Sequence, residues 1–538
     1  MSDSKKVFIY DCTLRDGTQG EQISLSVEDK VHIAQKLDGF GIHYIEGGWP
    51  GSNRTDVEFF RRARDLSWES SKIVAFGSTR HYKNTVDRDP NIAALLEADT
   101  PAITLVGKSW DFHVERALGT TLEENLSMIK DSIAYLKEKD KEVIFDAEHF
   151  FDGYAANPRY AKAVLRTARD AGADWVVLCD TNGGNLPSTI QTLAHQLSPE
   201  FPFLGIHTHN DCEMGVANTI AAVQAGARMV QGTINGYGER CGNANLCSVI
   251  PALELKLGKE TVGPEKLKGL TSLAYFVSET ANMVLPNNLA FVGQSAFAHK
   301  GGLHVSGINK DPRTYEHTSP DVVGNTRRVL VSDLSGKSNL LYKIREFGDL
   351  DPENLDLNSL LEQIKKLEYE GYQFEGADGS LKLLFHRFGK EQKPPFEFKG
   401  FRVLVDQNPS GQFVSEATAK ISVDGVEEHA VSDGNGPVHA LDQAIKKALV
   451  RFFPEIDEVR LIDYKVRVLD AQTGTAAKVR VLIESTDGQR TWSTLGVSPN
   501  VMEASWQAII DSVLYKLLFP TSRPDQTTEE QTANTQTP

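Results

Sequence analysis

Short, nearly continuous apolar runs recur through the first half of the chain, each followed by a polar loop and an amphipathic stretch. Eight of them read as strands: "VFIYDCTLR" (7–15), "HYIEGGW" (43–49), "KIVAFGS" (72–78), "AITLVGK" (102–108), "EVIFDAEHF" (142–150), "DWVVLCDTN" (174–182), "FLGIHTHN" (203–210) and "RMVQGTING" (228–236). Runs that are β-branched or aromatic-rich and apolar at successive positions belong to strands covered on both faces. The segments between them carry helical spacing. "SVEDKVHIAQKLDGFG" opens on Ser26 as an N-cap and closes at Gly39 or Gly41. In "TLEENLSMIKDSIAYLKEKD", Leu122, Leu126, Ile129, Ile133 and Leu136 form one stripe for burial.

Eight strand–helix alternations predict an α/β fold, a closed (β/α)8 barrel, with an open doubly wound sheet as the alternative. The polar residues fall where a barrel needs them, at the carboxyl ends of its strands. Arg15 and Asp16 end the first strand, Glu46 the second, Lys108 the fourth, Glu148 the fifth, Asp180 and Thr181 the sixth, His207 and His209 the seventh. The barrel is therefore expected over 1–275. Residues 276–395 read as helical linker subdomains, and "GKEQKPPFEFKG" (389–400) as a hinge. Over 396–520, "GPVHALDQAIKKAL" lines up with "PNVMEASWQAIIDSV", and each copy follows alternating strands. A C-terminal α+β domain with an internal β,α repeat is the expectation. The tail, 521–538, has almost nothing to bury and reads as disordered.

Composition narrows the function. At 538 residues, 40% hydrophobic and 24% charged, the chain has the balance of a multidomain globular protein. No apolar run approaches the roughly 20 residues of a spanning helix, and the first residues lack the apolar core of a signal peptide, so a cytoplasmic address is expected. Five cysteines without a CxxC pair read as reduced thiols. A formal charge of −16 argues against a nucleic-acid surface and for small-molecule chemistry.

Side chains two apart on a strand share a side, so both imidazoles of His207 and His209 reach one centre at the barrel mouth. Closure makes strand eight the neighbour of strands seven and one, which brings Asp16 and Asn243 to the same place. Two imidazoles, a carboxylate and an amide oxygen suit a divalent ion such as Mn²⁺, Mg²⁺ or Zn²⁺. Arg15 would hold the carboxylate or polarise a bound acid; the plain alternative is a rim ion pair with Asp16. "GYGERCGNAN" (236–245) is not a dinucleotide loop, because it ends the eighth strand of an array instead of opening a βαβ unit. Glu148 would serve in proton transfer if Phe150 and Phe151 desolvate it. Lys108 and Glu46 point at the mouth as supporting groups.

In order along nearly the whole chain, "TLRDGTQ", "CDTNGG", "HTHND", "GERCGNAN" and "AFAHKGGLHVSG", followed by "SDGNGPVHALDQAI", resemble the motifs of the metal-dependent, acetyl-CoA-using 2-oxo acid synthases, the 2-isopropylmalate and homocitrate synthase group. "HKGGLHVSG" stands where isopropylmalate synthases carry an "HESGIHQDG"-like stretch, a departure that favours pyruvate over 2-oxoisovalerate. The resemblance implies an acyltransferase of branched-chain amino-acid biosynthesis. Asp16, His207, His209 and Asn243 would bind the metal, and Arg15 would stabilise the developing alkoxide. Thr181 and Glu46 would join Arg15 in binding substrate. Glu148, His304 and Tyr315 would act in deprotonating acetyl-CoA and in hydrolysis, with 276–395 completing the active site. The C-terminal domain would dimerise the enzyme and receive isoleucine as feedback inhibitor near Gly434, Asn435 and Gly436, where the plain alternative is a turn and helix cap. A lyase of the HMG-CoA lyase type and a non-catalytic amino-acid sensor are the rival readings.

Overall fold

The computed structural model describes residues 5–348, 350–352, 355–389, 393–407, 409–469 and 477–520. The expected disordered tail, 521–538, lies outside the described residues, as do 390–392 of the expected hinge. The chain forms two compact units: residues up to Ala298 with Glu316–Arg328, and His299–Tyr315 with the described residues from Val329 on.

The first unit is built on a closed parallel barrel of eight strands in sequence order, which settles the choice against an open sheet. The strands are β1 (Phe8–Asp11), β2 (Tyr44–Gly48), β3 (Lys72–Ser78), β4 (Ala102–Lys108), β5 (Glu142–Glu148), β6 (Trp175–Asp180), β7 (Leu204–Thr208) and β8 (Met229–Gly232). β8 pairs with β1 over Phe8–Asp11, which closes the ring. Alternation divides each strand between two cores. Tyr10, Tyr44, Val74, Ile144, Trp175 and Met229 fill the interior, while Ile9, Ile45, Ile73, Val143 and Val176 pack outward against the helices.

Local signals place the helices. Ser26 caps Val27–Phe40 with a reciprocal bond to Asp29, and Gly41 ends it in the left-handed conformation at φ 95°. Thr121 caps Leu122–Lys137, which buries Ile129, Ile133 and Leu136 as expected, with Leu122 and Leu126 half-covered. One boundary differs. β1 stops at Asp11, four residues before Arg15. The buried Asp11 carboxylate accepts from the Thr13 amide and hydroxyl, both at 2.9 Å, and this bond closes a turn that carries Arg15 and Asp16 on a loop.

In the second unit the repeat takes the form of two three-stranded antiparallel sheets, Glu397–Gln407, Phe413–Val423 and Val426–Gly434, then Arg460–Val468, Val479–Thr486 and Thr491–Ser498. Helix Pro437–Leu449 follows the first and Val501–Leu518 the second, and both bury their apolar faces in one cluster with Ala417, Ile421 and Ile483. Each repeat contributes three strands before its helix.

Candidate metal centre and active site

Inward-facing positions near the carboxyl ends of the strands carry polar groups where the lower barrel carries rings. β2 contributes Glu46, fully buried, whose oxygens accept from the Tyr10 hydroxyl and from Arg15 Nε, both at 2.5 Å. Arg15 also donates from Nη1 to Asp16 at 3.0 Å and lies 3.9 Å above the Phe76 ring. Burial alone would lower the guanidinium pKa, but Glu46 and Asp16 hold it above its usual value. Both Glu46 oxygens are occupied and buried beneath Arg15. Glu46, expected at the substrate, thus meets Tyr10 and Arg15.

Asp16, His207 and His209 converge as expected, each offering a ligand atom within 4.8 Å of the others. The two Nε2 atoms are 3.3 Å apart, and Asp16 Oδ2 is 3.9 Å from His207 Nε2. Burial would raise the Asp16 carboxyl, yet Arg15, His207 and His209 hold it at about 2. Burial pushes His209 down to about 4. Asn243 joins the cluster, donating from Nδ2 to Asp16 Oδ1 and to the Tyr237 carbonyl, both at 3.0 Å. Gly238 makes room for it: a Cβ there would come within 2.2 Å of Nδ2, at a φ of 148°. Asn243 Oδ1 and His209 Nδ1 are buried without a partner. Buried polar atoms are normally satisfied. A borderline-hard donor set with the Asn243 oxygen unpartnered and two imidazole nitrogens face to face fits a divalent cation.

A cavity of about 80 Å³ lies against these residues, walled also by Phe76, Val106, Asp146 and Thr181. It adjoins a larger cleft of about 830 Å³ that takes in Trp49, Arg80, Tyr82, Lys108 and Glu148. Thr181 follows β6, and its Oγ1 accepts from the backbone N–H of His149 at 2.9 Å. His149 reaches that position at a φ of 55°, a left-handed backbone uncommon outside glycine. Glu148 departs from expectation. Phe150 and Phe151 are buried in the outer core, and the group Glu148 meets is the Lys108 ammonium. Arg240 pairs with Asp211 at 2.7 Å, beyond the local contact with Glu239. His304 and Tyr315 belong to the second unit, where their exposed rings stack at 4.1 Å. Gly434, Asn435 and Gly436 precede helix Pro437–Leu449, and the Asn435 N–H donates to His439 Nδ1 at 3.1 Å.

Two polar side chains of this interior escaped the sequence reading: Asp146 on β5 and Gln231 on β8, both buried. Their signal was present. Each interrupts an otherwise apolar strand at an inward position, where an unpaired polar group is costly and so must have a partner.

Residues 6–276 match the HMGL-like family model, 291–371 the homocitrate synthase post-HMGL domain-like model, and 375–517 the LeuA allosteric (dimerisation) domain. Relatives match at nearly full length. The (R)-citramalate synthase of Aquifex aeolicus is 56% identical over 96% of this chain and 98% of its own, and that of Geobacter sulfurreducens is 54% identical over 95% and 97%. A probable 2-isopropylmalate synthase of Methanopyrus kandleri is 30% identical over 94% and 98%. The chain belongs to the HMGL-like family and, within it, to the group of these (R)-citramalate synthases.

Proposed function

We propose that the chain is an acyltransferase that condenses acetyl-CoA with pyruvate and hydrolyses the thioester, releasing (R)-citramalate and CoA. The near full-length identity of 56% and 54% to (R)-citramalate synthases carries this reading.

Asp16, His207, His209 and Asn243 would hold a divalent ion, Mn²⁺, Mg²⁺ or Zn²⁺. When bound, it supplies Lewis-acid polarisation of the keto group and a template for the acid. Arg15, clamped by Glu46, keeps a fixed positive charge at the cavity wall, where negative charge grows on the keto oxygen as the carbon–carbon bond forms. Thr181 already accepts from His149, so its own O–H is available to the substrate carboxylate. Glu148 takes the methyl proton of acetyl-CoA.

Thiol release from acetyl-CoA, measured with Mn²⁺ and either pyruvate or 2-oxoisovalerate, tests the assignment. Preference for the branched acid would make the chain a 2-isopropylmalate synthase. Cleavage of citramalyl-CoA to acetyl-CoA and pyruvate in place of CoA release would favour the lyase reading. No turnover with any of the three metals would favour a sensor.

The second unit would pair two copies of the chain and take isoleucine as feedback inhibitor. Gly434 is required where it stands, since a Cβ would come within 2.3 Å of the Ala440 amide. A cleft of about 820 Å³ lined by Ser432, Val438 and His439 flanks that turn. Light scattering and isoleucine inhibition of thiol release check the two statements separately.

A further inference from the structure

A polar chain crosses the barrel interior that the condensation chemistry does not use. Gln231 Nε2 donates to Asp146 Oδ1 at 2.9 Å, and Gln231 Oε1 lies 2.8 Å from His207 Nδ1. The strands that carry Asp146 and Gln231, β5 and β8, are not neighbours in the ring. All three side chains are buried, Gln231 completely.

We propose that Gln231, oriented by Asp146, is a positioning residue that sets the tautomer of His207 before any cation arrives, an inference that rests on reading the Asp16–His207–His209 cluster as a metal site. A primary amide has one donating and one accepting end. Asp146 accepts at Oδ1, so it takes the donating end and turns Oε1 toward His207. His207 must then carry its proton on Nδ1. The lone pair is left on Nε2, the nitrogen that faces His209 and Asp16. Only an unprotonated ring nitrogen can coordinate, and the hydrogen bond at the other nitrogen decides which one that is. Burial first, and the charge of Glu46 next, raise the Asp146 carboxyl to about 8. Because Oδ1 accepts from Gln231, a proton on that carboxyl belongs on Oδ2 and leaves the bond intact.

His209 has no such setting. Its Nδ1 is buried without a partner, and its Nε2 faces the bare Nε2 of His207 at 3.3 Å. In the metal-free protein the His209 proton therefore sits on Nε2 and bridges the two rings. The pair is asymmetric: a cation finds His207 ready and must move the His209 proton to Nδ1.

Two measurements test this. Long-range ¹H–¹⁵N spectra of metal-free enzyme with ¹⁵N-labelled histidine read the tautomers directly, with His207→Gln and His209→Gln used only to assign the signals. His207 is expected as Nδ1–H and His209 as Nε2–H; added Zn²⁺ shifts the coordinated Nε2 signal of both rings but moves the proton of His209 alone, from Nε2 to Nδ1. A metal-free His207 in the Nε2–H form overturns the proposal whatever the protein does with metals. Mn²⁺ titration of the metal-free variants, followed by electron paramagnetic resonance, supplies the second readout. Gln231→Leu should weaken Mn²⁺ binding about ten- to a hundredfold. Gln231→Glu still presents an acceptor to His207 Nδ1, with one proton shared between its carboxyl and that of Asp146 in place of the lost amide donor, and should lose clearly less affinity than Gln231→Leu. Parental affinity in Gln231→Leu, or a loss in Gln231→Glu as large as in Gln231→Leu, overturns the proposal. If the parent itself does not bind Mn²⁺ or Zn²⁺, the metal reading fails, and the tautomer spectrum still decides what Gln231 does.

Discussion

Glu46→Gln tests the proposed active site at its most constrained point. The wild-type carboxylate is fully buried and accepts from Arg15 Nε and Tyr10 Oη, both at 2.5 Å. The amide keeps the shape but removes the charge and turns a donor toward one of those partners. Removing one member of a buried pair costs about 3–5 kcal/mol, mostly because the remaining charge stays buried. Arg15 retains Asp16 at 3.0 Å and the Phe76 ring, so the loss should lie near the low end, about 3 kcal/mol. The catalytic effect is separate. An unclamped guanidinium that shifts by about 1 Å should lower kcat/KM about a hundredfold. Urea unfolding measures the first quantity and thiol release at saturating acetyl-CoA the second. Tyr10→Phe is the control, because it removes one hydrogen bond to Glu46 and leaves Arg15 in place. It should cost about 1.5–3 kcal/mol of stability, with kcat/KM changed by less than about threefold. A folded Glu46→Gln enzyme with kcat/KM within twofold of the parent would refute the claim that Glu46 aims Arg15.

Val106→Ala enlarges the small cavity, and the ratio of kcat/KM for 2-oxobutanoate to that for pyruvate should rise by about tenfold or more; an unchanged ratio would remove Val106 from the acceptor wall. Chelation should abolish thiol release and added Mn²⁺ restore it in the parent, whereas Asp16→Asn and His209→Ala should not recover at the same Mn²⁺ concentration. Activity that survives exhaustive chelation would count against a metal centre. In the second unit, burial would raise the Asp487 carboxyl, but Lys516 and the Arg490 and Gln489 amides hold it at about 2. A carboxyl depressed by folding stabilises the protein above its unfolded value and loses that contribution as pH falls through the folded one. Asp487→Asn should therefore lower the thermal midpoint at neutral pH, with the difference shrinking from about pH 4 to about pH 2. A difference that persists at pH 2 would contradict the charge-based account.

Much of the site was legible because a barrel converts sequence position into place. A polar residue just beyond an apolar strand lands at the mouth, so His207, His209 and Thr181 could be placed from their strands, and ring closure brought Asp16 and Asn243 to join the histidines. Glu148 was placed correctly but its neighbour was not. Phe150 and Phe151 follow it closely in sequence, yet they turn into the outer core while Lys108 reaches across from β4.

The chain by itself determined the strand count of the barrel, the cap at Ser26, the internal repeat and the donors to be gathered, because periodicity and capping act over a few residues and are written locally. Tertiary structure alone decided which partner each polar group found. Glu46 became the clamp of Arg15, and Gln231 came to join Asp146 to His207. Hydrogen bonds across a barrel interior connect side chains far apart in sequence, 85 residues between Asp146 and Gln231 and 94 between Tyr10 and Thr104. Their direction is set by which atoms meet after burial has excluded water, and no local pattern records that.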